Sequence, residues 1–146
     1  MAHLRGAIPG PFESWLVLRG IKTLPLRLER QSASALAIAE FLAAHPRITA
    51  VHYPGLHPSA ATLKQMPRGF GPLLAFELAG TAADADRVVA AARLVVPATS
   101  FGGVESNWER RARWAGETAP ETLIRPSAGV EPIEDLLADI GAALEA

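Results

Sequence analysis

Apolar residues recur at Leu16, Ile21, Leu24, Leu28, Leu36, Ala39 and Leu42, a spacing that predicts helix from Phe12 to His45. Pro11 suits the first turn, where its missing N–H costs nothing. At about 34 residues the stretch outruns most globular helices. Gly20 and Pro25 are expected to divide or kink it, and Pro46 to end it. Ile48 to Tyr53 alternates and is rich in β formers, so it reads as a strand closed by Pro54-Gly55. A short helix near Ala60–Gln65, a loop with Gly69 and Gly71, and a second strand from Leu73 to Ala79 follow. Thr81 has the character of an N-cap, with Asp84 as a weaker stand-in for the Glu of a capping box. The Ala-rich helix behind it runs to about Arg93, and Leu94 to Ala98 makes a third strand. Residues 99–121 read as irregular, and so long a loop in a compact domain is more often functional than accidental. Leu123 to Ser127 is a fourth strand, in which Pro126 implies an edge or a local break. Ile133 to Leu144 closes the chain as a helix, with Pro132 at its start and Glu134 and Asp135 in its first turn.

This order predicts an α+β fold of two layers: a small, mostly antiparallel sheet of about four strands covered by helices, preceded by a long kinked helix. Residues 1–10 read as a leader (Met1 to His3 as a start-site remnant), 11–45 as a linking helix and 46–146 as the α+β domain. The 146 residues suffice for one hydrophobic core and not for two full domains. At 49 % hydrophobic residues the chain is not disordered. A net charge of −1, from 14 basic and 15 acidic residues, leaves no electrostatic footprint for nucleic acid. The absence of Cys excludes disulfides, iron–sulfur clusters and Cys-ligated zinc. No apolar run is long enough to span a membrane, and the N-terminus lacks a signal-peptide pattern, so a cytoplasmic location is expected. His3, His45, His52 and His57 have no metal-ligand spacing, and no metal site is expected.

Three segments carry candidate chemistry. In Ala98-Thr99-Ser100-Phe101-Gly102-Gly103-Val104-Glu105-Ser106, two glycines permit positive φ and close approach, and the Thr99 and Ser100 hydroxyls sit at a strand end. The plain alternative is a tight turn after an edge strand. In Leu123-Ile124-Arg125-Pro126-Ser127 one arginine interrupts an apolar strand. A buried guanidinium needs a partner: on the residues alone an internal Asp or Glu is favoured over a substrate carboxylate. The run Glu109-Arg110-Arg111-Ala112-Arg113-Trp114 reads as a solvated helical turn rather than a nucleic-acid patch.

Six segments in order also resemble one family. Pro11-Phe12-Glu13-Ser14-Trp15-Leu16-Val17-Leu18-Arg19-Gly20-Ile21-Lys22-Thr23-Leu24 is similar to its S-P-F-D-x-W-L-x-L-R-G-L-K-T-L helix, and Leu26-Arg27-Leu28-Glu29-Arg30-Gln31 to its L-R-M-E-R-H. Val51-His52-Tyr53-Pro54-Gly55-Leu56 and Phe70-Gly71-Pro72-Leu73-Leu74-Ala75-Phe76-Glu77-Leu78 resemble V-x-Y-P-G-L and F-G-G-M-L-S-F-E-L. Ser100 to Ser106 resembles S-L-G-G-V-E-S, and Leu123 to Glu131 resembles L-I-R-L-S-V-G-I-E-D. The family is that of the pyridoxal-phosphate (PLP) enzymes of cysteine and methionine metabolism: cystathionine γ-synthases, cystathionine β- and γ-lyases and methionine γ-lyases. The Glu109–Trp114 run looks most like the γ-lyase branch.

The resemblance covers the family's C-terminal domain. It implies a chain without the Schiff-base lysine, since neither Lys22 nor Lys64 matches that position, and hence no catalytic residue and no PLP held by this chain alone. It implies that Arg125 grips the substrate α-carboxylate, that Ser100 helps position it, that Thr99 tunes substrate choice, and that Gly102 and Gly103 bring Ser100 in. The implied partners are a sulfur amino acid, a PLP-binding large domain or subunit, and further copies in a homo-oligomer. The alternative is a non-catalytic module that binds an amino-acid carboxylate or a partner subunit. Asn107-Trp108-Glu109-Arg110-Arg111 departs from the family's usual L-I-x-x-P after Glu105-Ser106, and Pro126 and Pro132 replace its usual Leu, Ile or Phe and its Asp.

Overall fold

The computed structural model describes residue 6 and residues 8–146, so the expectation for Met1 to His3 lies outside the described residues. The long helical stretch is two helices, α1 (Pro11–Ile21) and α2 (Leu24–Ala43). Pro25, in the first turn of α2, has no N–H to return to the Ile21 carbonyl, so the helix breaks at Lys22 and Thr23. The Arg27 guanidinium closes the joint by donating to the Gly20 carbonyl at 3.0 Å. No residue of α1 is buried, whereas α2 buries Gln31, Ser34, Ala35, Ile38, Ala39 and Leu42, a stripe at helical spacing.

The remaining elements are β1 (Ile48–His52), α3 (Ala60–Gln65), β2 (Ala75–Leu78), α4 (Ala82–Ala91), β3 (Val96–Pro97), β4 (Asn107–Arg110), a 3₁₀ turn (Arg111–Arg113), β5 (Leu123–Ser127) and α5 (Ile133–Leu144). They form one mixed α/β unit around a five-stranded sheet in the order β1-β2-β5-β4-β3. Three of the four pairings are antiparallel and only β3–β4 is parallel, as a mostly antiparallel sheet requires. Among the described residues no helix is long and apolar enough to cross a membrane.

The expected four strands are thus five, and the segment 99–121 is not irregular throughout. Asn107–Arg110 is a full strand, hidden in the sequence because only one of its four residues is apolar. Of the two expectations for Pro126 the local break holds and the edge does not, because β5 lies between β2 and β4. The pairs Phe76–Ile124 and Leu73–Ser127 bracket a gap in the ladder where Leu74 faces Pro126. Leu74 N–H donates to the Pro126 carbonyl at 3.2 Å, and the reciprocal bond is missing because proline has no N–H. The central strand thus tolerates proline at the cost of one ladder bond.

One face of the sheet presents Phe76, Leu78, Trp108 and Ile124, all buried, toward α2, α4 and α5. Trp108, fully buried, donates its indole N–H to the Val89 carbonyl of α4 at 3.2 Å. Arg110 leaves the same face to meet Asp86 of α4 through two hydrogen bonds at 2.7 and 3.0 Å. The Asp139 carboxylate of α5 accepts from three successive backbone N–H groups, Arg93, Leu94 and Val95, each at 2.9 Å. Burial raises its pKa, but those N–H groups and the Arg93 charge outweigh burial and hold it below the usual range. The expected Thr81–Asp84 capping box forms, and Asp84 falls to about 2 through its hydrogen bonds with Thr81.

Candidate functional site

Side chains alternate along a strand, so Arg125 and Ser127 of β5 point away from the helix-covered face that takes Ile124 and Pro126. Glu109 of β4 lies directly opposite Arg125 in the register and shares that second face. Arg125 Nη2 donates to Glu109 Oε1 at 2.9 Å and to the Thr99 carbonyl at 2.8 Å, with the Ser100 carbonyl at 3.4 Å. Its Nε is buried without a partner, and the Phe101 ring centroid lies 5.4 Å from the guanidinium carbon.

Glu109 is the centre of the arrangement. Its carboxylate is fully buried and accepts from five side chains. Arg111 and Arg125 reach Oε1, while Thr99 Oγ1 (3.0 Å), Trp114 Nε1 (3.0 Å) and Arg113 Nη2 (3.1 Å) reach Oε2. Burial pushes its pKa up, but the hydrogen bonds from Trp114, Arg111 and Thr99 and the Arg111 charge overcome this and keep it below the ordinary glutamate value. The Glu109–Trp114 run is therefore not the expected solvated helical turn. It starts in a strand, and its 3₁₀ turn folds Arg111 and Arg113 back over the first residue. Arg113 also stacks 4.8 Å over the Trp114 ring and donates to Thr99 Oγ1 at 3.2 Å, and Arg111 has a second carboxylate partner in Glu117.

The structure brings Arg125, Thr99 and Ser100 together, with Thr99 and Ser100 exposed at the end of β3. Of the paired glycines only Gly102 adopts positive φ (76°), and its N–H donates to Ser127 Oγ at 2.9 Å. Gly103 contributes its carbonyl, which accepts from Gln31 of α2. Gln31 also donates to the Ala128 carbonyl at 3.1 Å, tying the helix to both segments of the site. Glu109, Trp114, Ser127 and Gln31 lie in segments that motif reading quoted, but it gave none of them a role in the site. The signals for them were an unpaired Arg in an apolar strand, which demands an acid, and the Gln at the end of Leu26–Gln31 where the family has His.

Among the described residues no group of three or more His, Cys, Asp or Glu side chains is placed to hold a metal. Both lysines are exposed, Lys22 at the joint after α1 and Lys64 on α3. A groove of about 1030 Å³ runs between α2 and residues 65–71 and touches none of the site residues. What the site residues can do is bind an anion: three guanidiniums face two carboxylates, and Arg125 is one-fifth exposed.

The model of the Cys/Met metabolism PLP-dependent enzymes matches residues 1–145. A Streptomyces coelicolor protein provisionally named cystathionine γ-lyase is 49 % identical over 142 residues, which are 96 % of this chain and 36 % of that one. Cystathionine γ-synthase of Mycobacterium tuberculosis is 43 % identical over 148 residues, covering 95 % of this chain and 38 % of its own length. The crystal structure of cystathionine γ-lyase from yeast superposes with a TM-score of 0.88 at 38 % identity, covering 97 % of this chain and 40 % of that one. The chain therefore spans less than half the length of these relatives.

Proposed function

Because the chain belongs to the PLP-dependent enzymes of Cys/Met metabolism, we propose that it supplies the substrate-carboxylate grip of a carbon–sulfur bond enzyme acting on sulfur amino acids. The rest of that active site, with PLP and its lysine, comes from a separate domain or subunit. The residues of this chain do not themselves fit the cofactor. The chain has two lysines, both exposed and neither in the Arg125 cluster, and the groups gathered there suit a carboxylate. PLP, when bound by the completing domain, supplies the electron sink for bond cleavage.

The observation that carries the reading is Arg125 itself. It is held by Glu109 and two carbonyls at the mouth of the Thr99–Ser100 loop, with its Nη1 making no hydrogen bond among the described residues. In this reading Arg125 orients the α-carboxylate, Ser100 offers a free hydroxyl next to it, and Thr99 borders the side-chain end of the substrate. Gly102 holds the loop in the turn that brings Ser100 forward.

Two measurements test this. Added PLP followed by borohydride and mass spectrometry should leave this chain without a stoichiometric adduct; one at Lys22 or Lys64 would give it a cofactor site of its own and overturn the division of labour. In the enzyme completed by a PLP-lysine domain, Arg125→Ala should weaken amino-acid binding by about 2–5 kcal/mol, the range for truncating one side of a buried charge pair. Unchanged affinity would remove the carboxylate role.

A further inference from the structure

We propose that Glu109 is a positioning residue for this grip, and that Arg111, Arg113 and Trp114 hold Glu109 so that it orients Arg125 without cancelling its charge. The inference rests on the reading of Arg125 as the carboxylate-binding residue. It concerns a segment where this chain departs from the family's usual sequence, so the arrangement is built from its own residues.

A carboxylate paired with a single guanidinium neutralises it, and the pair has little left for a third ion. Glu109 is not so paired. Its two oxygens are shared among three guanidiniums, an indole N–H and a hydroxyl. Glu117 takes part of the Arg111 charge, so within this hydrogen-bonded cluster one positive charge is left over. The exposure is graded to match: Glu109 is sealed at 0 %, while the Arg125 and Arg113 side chains are 21 % and 38 % exposed. The buried anion works as an anchor and the cations face outward. Among the described residues the Arg125 side chain donates all its hydrogen bonds through Nη2, to one carboxylate and two carbonyls, while Phe101 lies against the guanidinium. That fixes its plane and leaves Nη1 for an incoming carboxylate. Without Arg111 and Arg113, Glu109 would either cancel Arg125 or pay the cost of an under-bonded buried charge.

The test is the split between KM and kcat in the completed enzyme, with an amino-acid substrate. Glu109→Gln keeps the shape and removes the anchor's charge, and it should raise KM about tenfold while kcat stays within a few-fold. A cluster acting only through net charge requires the opposite sign, because losing an anion would lower KM; a lowered or unchanged KM overturns the proposal. Trp114→Phe, at a half-exposed site, removes an uncharged donor to Glu109 Oε2; it should raise KM with little change in melting temperature, and it decides the matter if Glu109→Gln does not fold. An unchanged KM in Trp114→Phe overturns the proposal. Arg125→Gln is the control. If it leaves KM unmoved, the carboxylate reading itself fails; if it alone raises KM, only the role of Glu109 fails. A readout independent of catalysis uses the three tryptophans of this chain. In a ¹H–¹⁵N spectrum the Trp114 indole signal should shift in Arg113→Gln while those of Trp15 and Trp108 stay, and a still Trp114 signal counts against the cluster.

Discussion

Two carboxylates, Glu109 and Asp139, sit below their ordinary pKa values because donors converge on them despite burial. A group whose folded pKa is depressed adds stability that is present above its unfolded value, about 4, and is lost as pH falls through the folded one. Denaturant midpoints should therefore be flat from neutral pH to about 5 and fall steeply below about 4. Asp139→Asn should flatten that fall and cost about 1–3 kcal/mol at neutral pH, since all three backbone N–H bonds lose a charged acceptor and at least one loses its acceptor altogether. An acid limb identical to that of the native sequence would show that Asp139 is not a source of it. At this scale the sequence was informative about demand and silent about supply. A lone Arg125 in an apolar strand announced that it needed an anion, but Glu109 is sixteen positions away and becomes its neighbour only through the β4–β5 register. The same register explains why the internal ion pair favoured on the residues alone does form, and why that pair is compatible with an open donor on Arg125.

Elements were legible where local chemistry decides them. The Thr81–Asp84 box starts α4 as expected, and Thr81→Ala should cost about 1 kcal/mol, measurable by thermal unfolding. The short helix Ala60–Gln65 has the bounds its residues suggested, with Ser59 accepting from Thr62 N–H at its start. Elements were illegible where tertiary contacts decide. The strand Asn107–Arg110 has no alternation of apolar and polar residues, because one face meets α4 through Trp108 and Arg110 and the other houses the buried Glu109. Pro126 was legible as a local break but not as a central position: the rule that keeps proline to edges counts N–H groups, and here only one bond is missing. The loop after β5 is set by space rather than pattern. A Cβ on Gly129 would lie 2.3 Å from the Val104 carbonyl oxygen and 2.6 Å from the Ser106 nitrogen. Gly129→Ala should therefore prise residues 104–106 from the strand end and destabilise by about 1–3 kcal/mol. Near-native stability in that variant would mean the two segments separate without cost.

Across the whole molecule the helices divide into a buried and a naked part. The far half of α2 belongs to the core, whereas α1 and the start of α2 expose Phe12, Trp15, Leu16, Val17, Leu18, Ile21 and Leu26. So much exposed apolar side chain on one helix is uncommon on a free monomer. The chain by itself should associate as its concentration rises, and sedimentation across a hundredfold range checks this. Leu16→Glu with Leu18→Glu should abolish the association while leaving the melting temperature within a few degrees, because no residue of α1 contributes to the core. A strictly monomeric profile in the native sequence would remove the argument.

The cluster around Glu109 also implies something about heat. Apolar burial and networks of charge respond differently to warming: free ions lose part of their advantage in hydration as temperature rises, and the penalty for sequestering them shrinks. The five-donor hub should therefore hold the β4–β5 corner more firmly, relative to the apolar layer behind it, in hot solution than in cold. Arg111→Gln, measured by chemical denaturation at several temperatures, should cost progressively more stability toward the melting point, which makes this corner the part of the sheet that keeps its hold longest on heating.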